Sequence, residues 1–224
     1  MNERIYVWDP LVRIFHWSLV LTFIVCYLTG EEEGLIHAYS GYVILGLVAF
    51  RVIWGLVGTK YARFTDFIYS PVETIGFIKG MLAGKVKDYL GHNPAGGWMI
   101  VALLISLLLT GLSGVKVYGL EGYGPLAVAS GGQEQSQIQE TRRAYKEHEE
   151  DDDDHDKFAQ RGKEHRENDD ENESEEFWEE IHEFFANFTV LLIGLHVAGV
   201  LLSSIRENRN LVKSMLTGYK LKNH

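Results

Sequence analysis

The sequence predicts an all-α integral membrane fold: a four-helix bundle with a long, disordered, acidic periplasmic loop between helices 3 and 4. Three observations carry that expectation. Four stretches of about 20 mostly apolar residues are present, the length a helix needs to cross a bilayer. Acidic residues crowd into one segment of the chain. Basic residues outside that segment fall almost entirely on one side of the apolar stretches.

Whole-chain averages conceal this division. Mean hydropathy is -0.07 and net charge is -10, values typical of an acidic soluble protein. Yet residues 134–183 hold 21 of the 31 acidic residues and only seven of the 21 basic ones. What remains is apolar and net basic, so each segment is read separately. The one cysteine, Cys26, lies in an apolar run and reads as a buried, inert thiol. No disulfide forms within the chain. No CxxCH motif occurs, which excludes covalent attachment of a c-type haem.

The expected helices cover residues 14–30, 35–57, 97–116 and 178–205. Trp17, Trp54, Trp98 and Trp178 lie near their ends, as for aromatic side chains at headgroup depth. The first stretch is not expected to be a cleaved signal, because LTGEEEG follows it with no small-x-small site. With a cytoplasmic N-terminus, twelve of the fourteen basic residues outside the acidic segment lie inside. That places both termini in the cytoplasm, and the acidic insert on the opposite, periplasmic side.

The insert, residues 131–174, has almost no apolar content. It is expected to be a solvated, disordered loop. A second role fits its charge: attracting a basic periplasmic partner in a salt-dependent way. Its His148, His155 and His165 are spaced too widely to set up a fixed metal site.

Ionisable residues within a membrane span are costly and mark function by default. Outside the insert and the C-terminus, the histidines are His16, His37, His92, His182 and His196. His16 falls near the inner end of helix 1 and His37 near the outer end of helix 2. On helix 4, His182 is near the outer face, and His196 lies fourteen residues later, about 21 Å deeper. Fourteen residues are two heptads, so both side chains face one seam, which also carries Ala186, Thr189, Ile193 and Val200. The histidines thus sort into an outer pair, His37 with His182, and an inner pair, His16 with His196. Two imidazoles approaching from opposite faces is what a b-type haem requires. Gly41, Gly194 and Gly199 lie near these ligands, where small residues let a flat ring approach. The rival reading, a metal transporter, would gather its ligands at one depth near the midplane.

Arg51 lies fourteen residues after His37, level with the inner pair. It either pairs with an inner haem propionate or snorkels to the headgroups. Arg13, three before His16, has the same two readings. His92, in GHNPAGG, is the candidate for a quinone or propionate contact, a structural loop role being the alternative. Pro94 would start helix 3, and the free N–H groups of its first turn would face an anion or carbonyl.

At these residues the chain resembles a known family. WDPLVRIFHW, AFRVIWGLVG with KYARF following, YLGHNPAGG, LTGLSGVKVYG and LLIGLHVAGV are similar to segments of the bacterial di-haem membrane cytochromes b, which include the cytochrome b subunit of nickel–iron hydrogenases. The likeness covers residues 5–125 and 177–220 and lapses in the insert. It implies two non-covalent haems b, a cytoplasmic-membrane location and exchange with quinone. His16, His37, His182 and His196 match the expected haem-iron ligands.

The function expected from all this is electron transfer across the membrane, between the quinone pool and a periplasmic redox partner such as a c-type cytochrome. One alternative is a membrane anchor and electron-accepting subunit of a hydrogenase-like enzyme. Another, of a different class, is a metal transporter or haem-free scaffold. Expected partners are lipid, quinone and one of those redox proteins. A homodimer is compatible with the sequence, and nucleic acid is not expected.

Overall fold

The computed structural model describes residues 4–30, 34–85, 89–127, 154–207 and 209–221, with 154–172 and 221 described as backbone only. Its elements are β1 (Arg4–Tyr6), α1 (Pro10–Leu28), α2 (Leu35–Val57), α3 (Pro71–Leu82), α4 (Pro94–Leu120), α5 (Asp154–Arg206), α6 (Leu211–Thr217) and β2 (Tyr219–Leu221). Four helical stretches are long and apolar enough to span a membrane: Pro10–Leu28, Leu35–Val57, Pro94–Leu120 and Glu173–Arg206. These are the four expected from sequence. The backbone is helical from Asp154 onward, so residues 154–174, expected as part of the insert, belong to the same helix as the fourth span. Extending a helix that a membrane span has already nucleated costs little per residue. Residues 128–153, the rest of the acidic insert, lie outside the described residues.

The chain divides into two compact units, Met1–Leu109 with Phe185–His224, and Thr110–Phe184. In the first unit, Phe15, Ile44, Val48, Leu104 and Leu107 form the apolar core. Apolar side chains also cover the outward faces: Leu21 is 66 % exposed and Leu56 is 67 %. In water that would be an aggregation hazard. Against lipid it is what a spanning helix presents. Deeper in the unit, the Ser106 hydroxyl meets Thr189 Oγ1 at 2.6 Å, and Thr189 donates to the Phe185 carbonyl at 2.8 Å. Thr189 is fully buried, so this bond links α4 to α5 where no water could satisfy either hydroxyl.

The start of α1 is fixed by Asp9. Its carboxylate accepts from the Val12 N–H at 2.9 Å, from Trp54 Nε1 at 3.2 Å and from Thr59 Oγ1 at 2.5 Å. Pro10 follows at the first helical position, where its missing N–H has no cost. Trp54 is therefore tied to the start of α1 as well as being an end-of-span aromatic. The other end of the chain closes on the same place. β2 pairs antiparallel with β1, Tyr6 opposite Tyr219. The Gly218 carbonyl accepts from the N–H groups of Val7 and Trp8 at 2.9 and 3.1 Å. Gly218 has φ of 87°, and a Cβ there would stand 2.7 Å from the Tyr6 ring, so only glycine fits. Lys220, itself buried, donates to the Tyr89 carbonyl at 2.6 Å and pairs with buried Glu207 at 3.3 Å.

Burial alone would raise the Asp9 pKa. The hydrogen bonds from Thr59, Val12 and Trp54 outweigh it and hold the carboxyl below its ordinary value. A carboxyl depressed in the folded state contributes stability above its unfolded pKa of about 4, and that contribution is lost as pH falls. We expect Asp9→Ala to cost about 2–4 kcal/mol and to flatten the loss of stability below about pH 4. Thermal unfolding in detergent as a function of pH checks both.

Candidate functional site

A neutral imidazole has two nitrogens, one a donor and one an acceptor, and a membrane interior satisfies neither. Each buried histidine can therefore be followed nitrogen by nitrogen. In the first unit, His37 points Nδ1 at the Cys26 carbonyl, 2.9 Å away. A carbonyl only accepts, so Nδ1 carries the proton and Nε2 carries the lone pair. The Cys26 thiol lies 3.8 Å from the His37 carbonyl and sits beside the same ring. Ser40 donates to the Ile36 and His37 carbonyls at 2.6 and 2.9 Å. Cys26 is thus a half-buried thiol packed on His37, less enclosed than the buried thiol read from its apolar setting.

In the second unit the same arrangement recurs. His182 Nδ1 lies 2.9 Å from the Thr110 carbonyl. Ser113 donates to that carbonyl at 2.9 Å, and its oxygen is 3.3 Å from His182 Nδ1. A Cβ at Gly114 would stand 2.9 Å from His182 Cε1, so the glycine holds the ring against α4. His182 too has Nε2 as its lone-pair nitrogen.

His16 and His196 lie together in the first unit, close enough to interact electrostatically. The His16 ring meets Trp17 edge-on at 5.1 Å, and its buried Nδ1 has no hydrogen-bond partner among the described residues. Three further groups belong to this end. Arg51 is 3 % exposed, its guanidinium 5.3 Å from the Phe64 ring centre and 5.6 Å from that of Phe67. Among the described residues its Nη1 has no acceptor, nor has buried Nε of Arg13.

His92 packs between Trp8 and Phe67, ring centres 4.5 and 4.8 Å apart. Burial pushes its pKa down to about 3, and the charges of Arg51, Lys220 and His196 act the same way. It is neutral at physiological pH, with Nδ1 buried and unpartnered among the described residues. The N-terminus of α4 differs from expectation. Asn93 Oδ1 takes the Gly96 N–H at 2.8 Å, and the Asn93 carbonyl takes that of Gly97 at 2.9 Å. A Cβ at Gly97 would strike the Phe67 carbonyl. These N–H groups are capped, so they do not face an anion. Trp8, Phe67 and Asn93 were not singled out from sequence, though Trp8 and Asn93 lie within the quoted motifs.

These residues suit haem. The lone-pair Nε2 atoms of His37 and His182 suit iron. A Cβ built at Gly41 or Gly194 meets nothing within 4 Å, which gives a flat ring room beside His37 and His196. The orphaned cationic donors of Arg13 and Arg51 suit carboxylates. Among the described residues, no three His, Cys, Asp or Glu side chains are grouped as a metal ion would need.

A multi-pass membrane protein with half-buried imidazoles, each anchored through one nitrogen, and a buried arginine fits the class of b-type membrane cytochromes. The sequence matches the family described as prokaryotic cytochrome b561 over residues 7–218. The chain belongs to that family, and with it goes b-type haem. A probable Ni/Fe-hydrogenase B-type cytochrome subunit of Rhizobium leguminosarum bv. viciae is 26% identical over 153 residues, covering 55% of this chain and 63% of that protein. The protein of the same description from Azotobacter vinelandii is 25% identical over 154 residues, covering 55% and 62%. The probable Ni/Fe-hydrogenase 1 B-type cytochrome subunit of Escherichia coli (strain K12) is 28% identical over 118 residues, covering 40% and 49%. The matched stretch thus spans 49–63% of the length of these relatives. No solved structure matches.

Gly114→Val is expected to drive the His182 ring off the Thr110 carbonyl, costing about 1–3 kcal/mol in overpacking. Haem bound per folded chain should fall while helix content stays unchanged. A pyridine haemochrome assay beside circular dichroism measures both; undiminished haem would remove His182 from the ligand set.

Proposed function

We propose that the chain transfers electrons across the membrane through two b-type haems, between the quinone pool and a periplasmic redox partner. His37 and His182 are the axial ligands of the outer haem, and His16 and His196 those of the inner. The observation that carries this reading is the Nδ1–H···carbonyl bond of His37 and of His182, which makes Nε2 the lone-pair nitrogen of each ring, the form that ligates iron. When bound, haem supplies a one-electron Fe(III)/Fe(II) couple in an apolar setting.

The chain's own groups do the rest. Arg13 and Arg51 neutralise inner propionates, for which their unpartnered nitrogens are suited. His92, neutral and caged by Trp8 and Phe67, offers one hydrogen bond to a propionate or a quinone carbonyl. The acidic insert favours a basic partner such as a c-type cytochrome. So do the exposed Glu173, Glu176, Glu179 and Glu180 on α5. A second reading, a membrane subunit that accepts electrons from a hydrogenase-like enzyme, draws on the names of the relatives.

The test is His196→Ala. The variant should lose the inner haem and keep the outer one, halving the reduced-minus-oxidised α-band. Loss of neither haem contradicts the ligand assignment.

A further inference from the structure

The helix α3 takes no part in the site described above. Its twelve residues, Pro71–Leu82, extend about 18 Å, too short to cross a bilayer. The chain passes through it on the way from the end of α2 at Val57 to the start of α4 at Pro94, so it lies on the side of the membrane where those two spans end. One face serves the fold. Thr74 and Phe77 are buried, and the Phe77 ring meets that of Tyr89 edge-on at 5.5 Å. The Tyr69 carbonyl, two residues before the helix, accepts from Trp98 Nε1 at 3.0 Å. Trp98 stands near the start of α4 and is exposed, as a tryptophan at headgroup depth is. The start of α3 is therefore held at that depth.

The opposite face is apolar and open. Val72, Ile75, Ile78 and Leu82 recur at helical spacing and are 82 %, 53 %, 39 % and 70 % exposed. Cations gather at the C-terminal end of this stripe. The N–H groups of Ala83, Gly84 and Lys85 close the helix on the carbonyls of Lys79, Met81 and Gly80 at 3.0, 3.2 and 2.8 Å, and Gly84 supplies the φ of 76° that the reversal needs. Backbone donors thus satisfy these carbonyls, and the side chains of Lys79 and Lys85 are not needed there. A Cβ at Gly84 would stand 3.5 Å from Arg206 Nη1, so the guanidinium at the end of α5 lies beside the same turn. All three cationic residues are exposed. Among the described residues none of them is in an ion pair. Glu207, next to Arg206, is buried and matched by Lys220 at 3.3 Å and Arg209 at 3.9 Å.

We propose that α3 is an interfacial helix that docks an anionic phospholipid: Val72, Ile75, Ile78 and Leu82 enter the acyl boundary, and Lys79, Lys85 and Arg206 hold the headgroup phosphate. A short helix with an apolar stripe and a cationic rim lies in the plane of the membrane surface. A zwitterionic lipid matches the stripe alone. An anionic one matches the stripe and the cations together, each cation adding to the attraction. The depth set by Trp98 favours lipid over an acidic protein, which would meet the cations and leave the stripe uncovered. The site stands whether or not the histidines ligate haem.

Thermal unfolding of the purified full-length protein in mild detergent, with added phosphatidylglycerol or phosphatidylcholine, tests this. Phosphatidylglycerol should raise the midpoint several degrees more than phosphatidylcholine, and high salt should shrink the difference. Equal stabilisation by the two lipids overturns the proposal. The triple variant Lys79→Gln/Lys85→Gln/Arg206→Gln should lose the difference while phosphatidylcholine still stabilises it. A difference that persists there overturns the placement of the headgroup. Lys116→Gln, near the far end of α4, should keep the difference, and its loss would overturn the placement equally. Should the triple variant not fold, Lys85→Gln alone should reduce the difference, and an unchanged difference defeats the placement. Inorganic phosphate at matched concentration should give no such rise; the same rise with phosphate alone would make the ligand a soluble anion and overturn the lipid reading.

Discussion

The structure depends on one constraint: an imidazole in hydrocarbon needs a partner for each of its nitrogens, and lipid provides none. His37 and His182 meet it in the same way on one side of the ring. Nδ1 takes a backbone carbonyl, from Cys26 or Thr110. That bond fixes the tautomer and turns Nε2 into the lone-pair nitrogen, the form in which an imidazole ligates iron. The small residue beside His182 follows from the same need. Gly114 exists as glycine because the ring lies against it, and any Cβ would push the ring from its carbonyl.

The end of the molecule around His16 answers a different need, the burial of positive charge. Arg51 is buried in an aromatic box of Phe64 and Phe67, which compensates part of its desolvation. Asp9 supplies a countercharge nearby, but its oxygens are taken by the α1 cap, by Trp54 and by Thr59. The strap of β1 and β2 lies against the same region: a Cβ at Gly218 would stand 3.2 Å from Arg13 Nη1. Buried cationic nitrogens that lack acceptors among the described residues invite carboxylates, which a haem carries on its edge.

Much of this was legible in the sequence, for physical reasons. Spanning helices must be continuously apolar, which is why four such stretches were legible. Charged and ionisable residues stand out in such runs, which is why His16, His37, Arg51, His182 and His196 were singled out. What stayed hidden involves partners that sequence does not display. The acceptors for His37 and His182 are backbone carbonyls, which every residue has. Whether Arg51 snorkels or stays buried depends on Phe64 and Phe67, which lie beyond its helix. The helix α3, the short α6 and the β1–β2 pairing were not anticipated, because each is short and carries a weak periodic signal. Their capping residues, Ser70 before Pro71 and Asn210 ahead of Gly218, were the available cues.

The proposed ligation by four histidines implies a stoichiometry, and that is what to measure. A pyridine haemochrome assay on the purified full-length protein, with protein quantified by amino-acid analysis, counts haem b per chain. Two haems b per chain is the predicted result. One haem or none, in protein shown to be folded and fully helical, would contradict it.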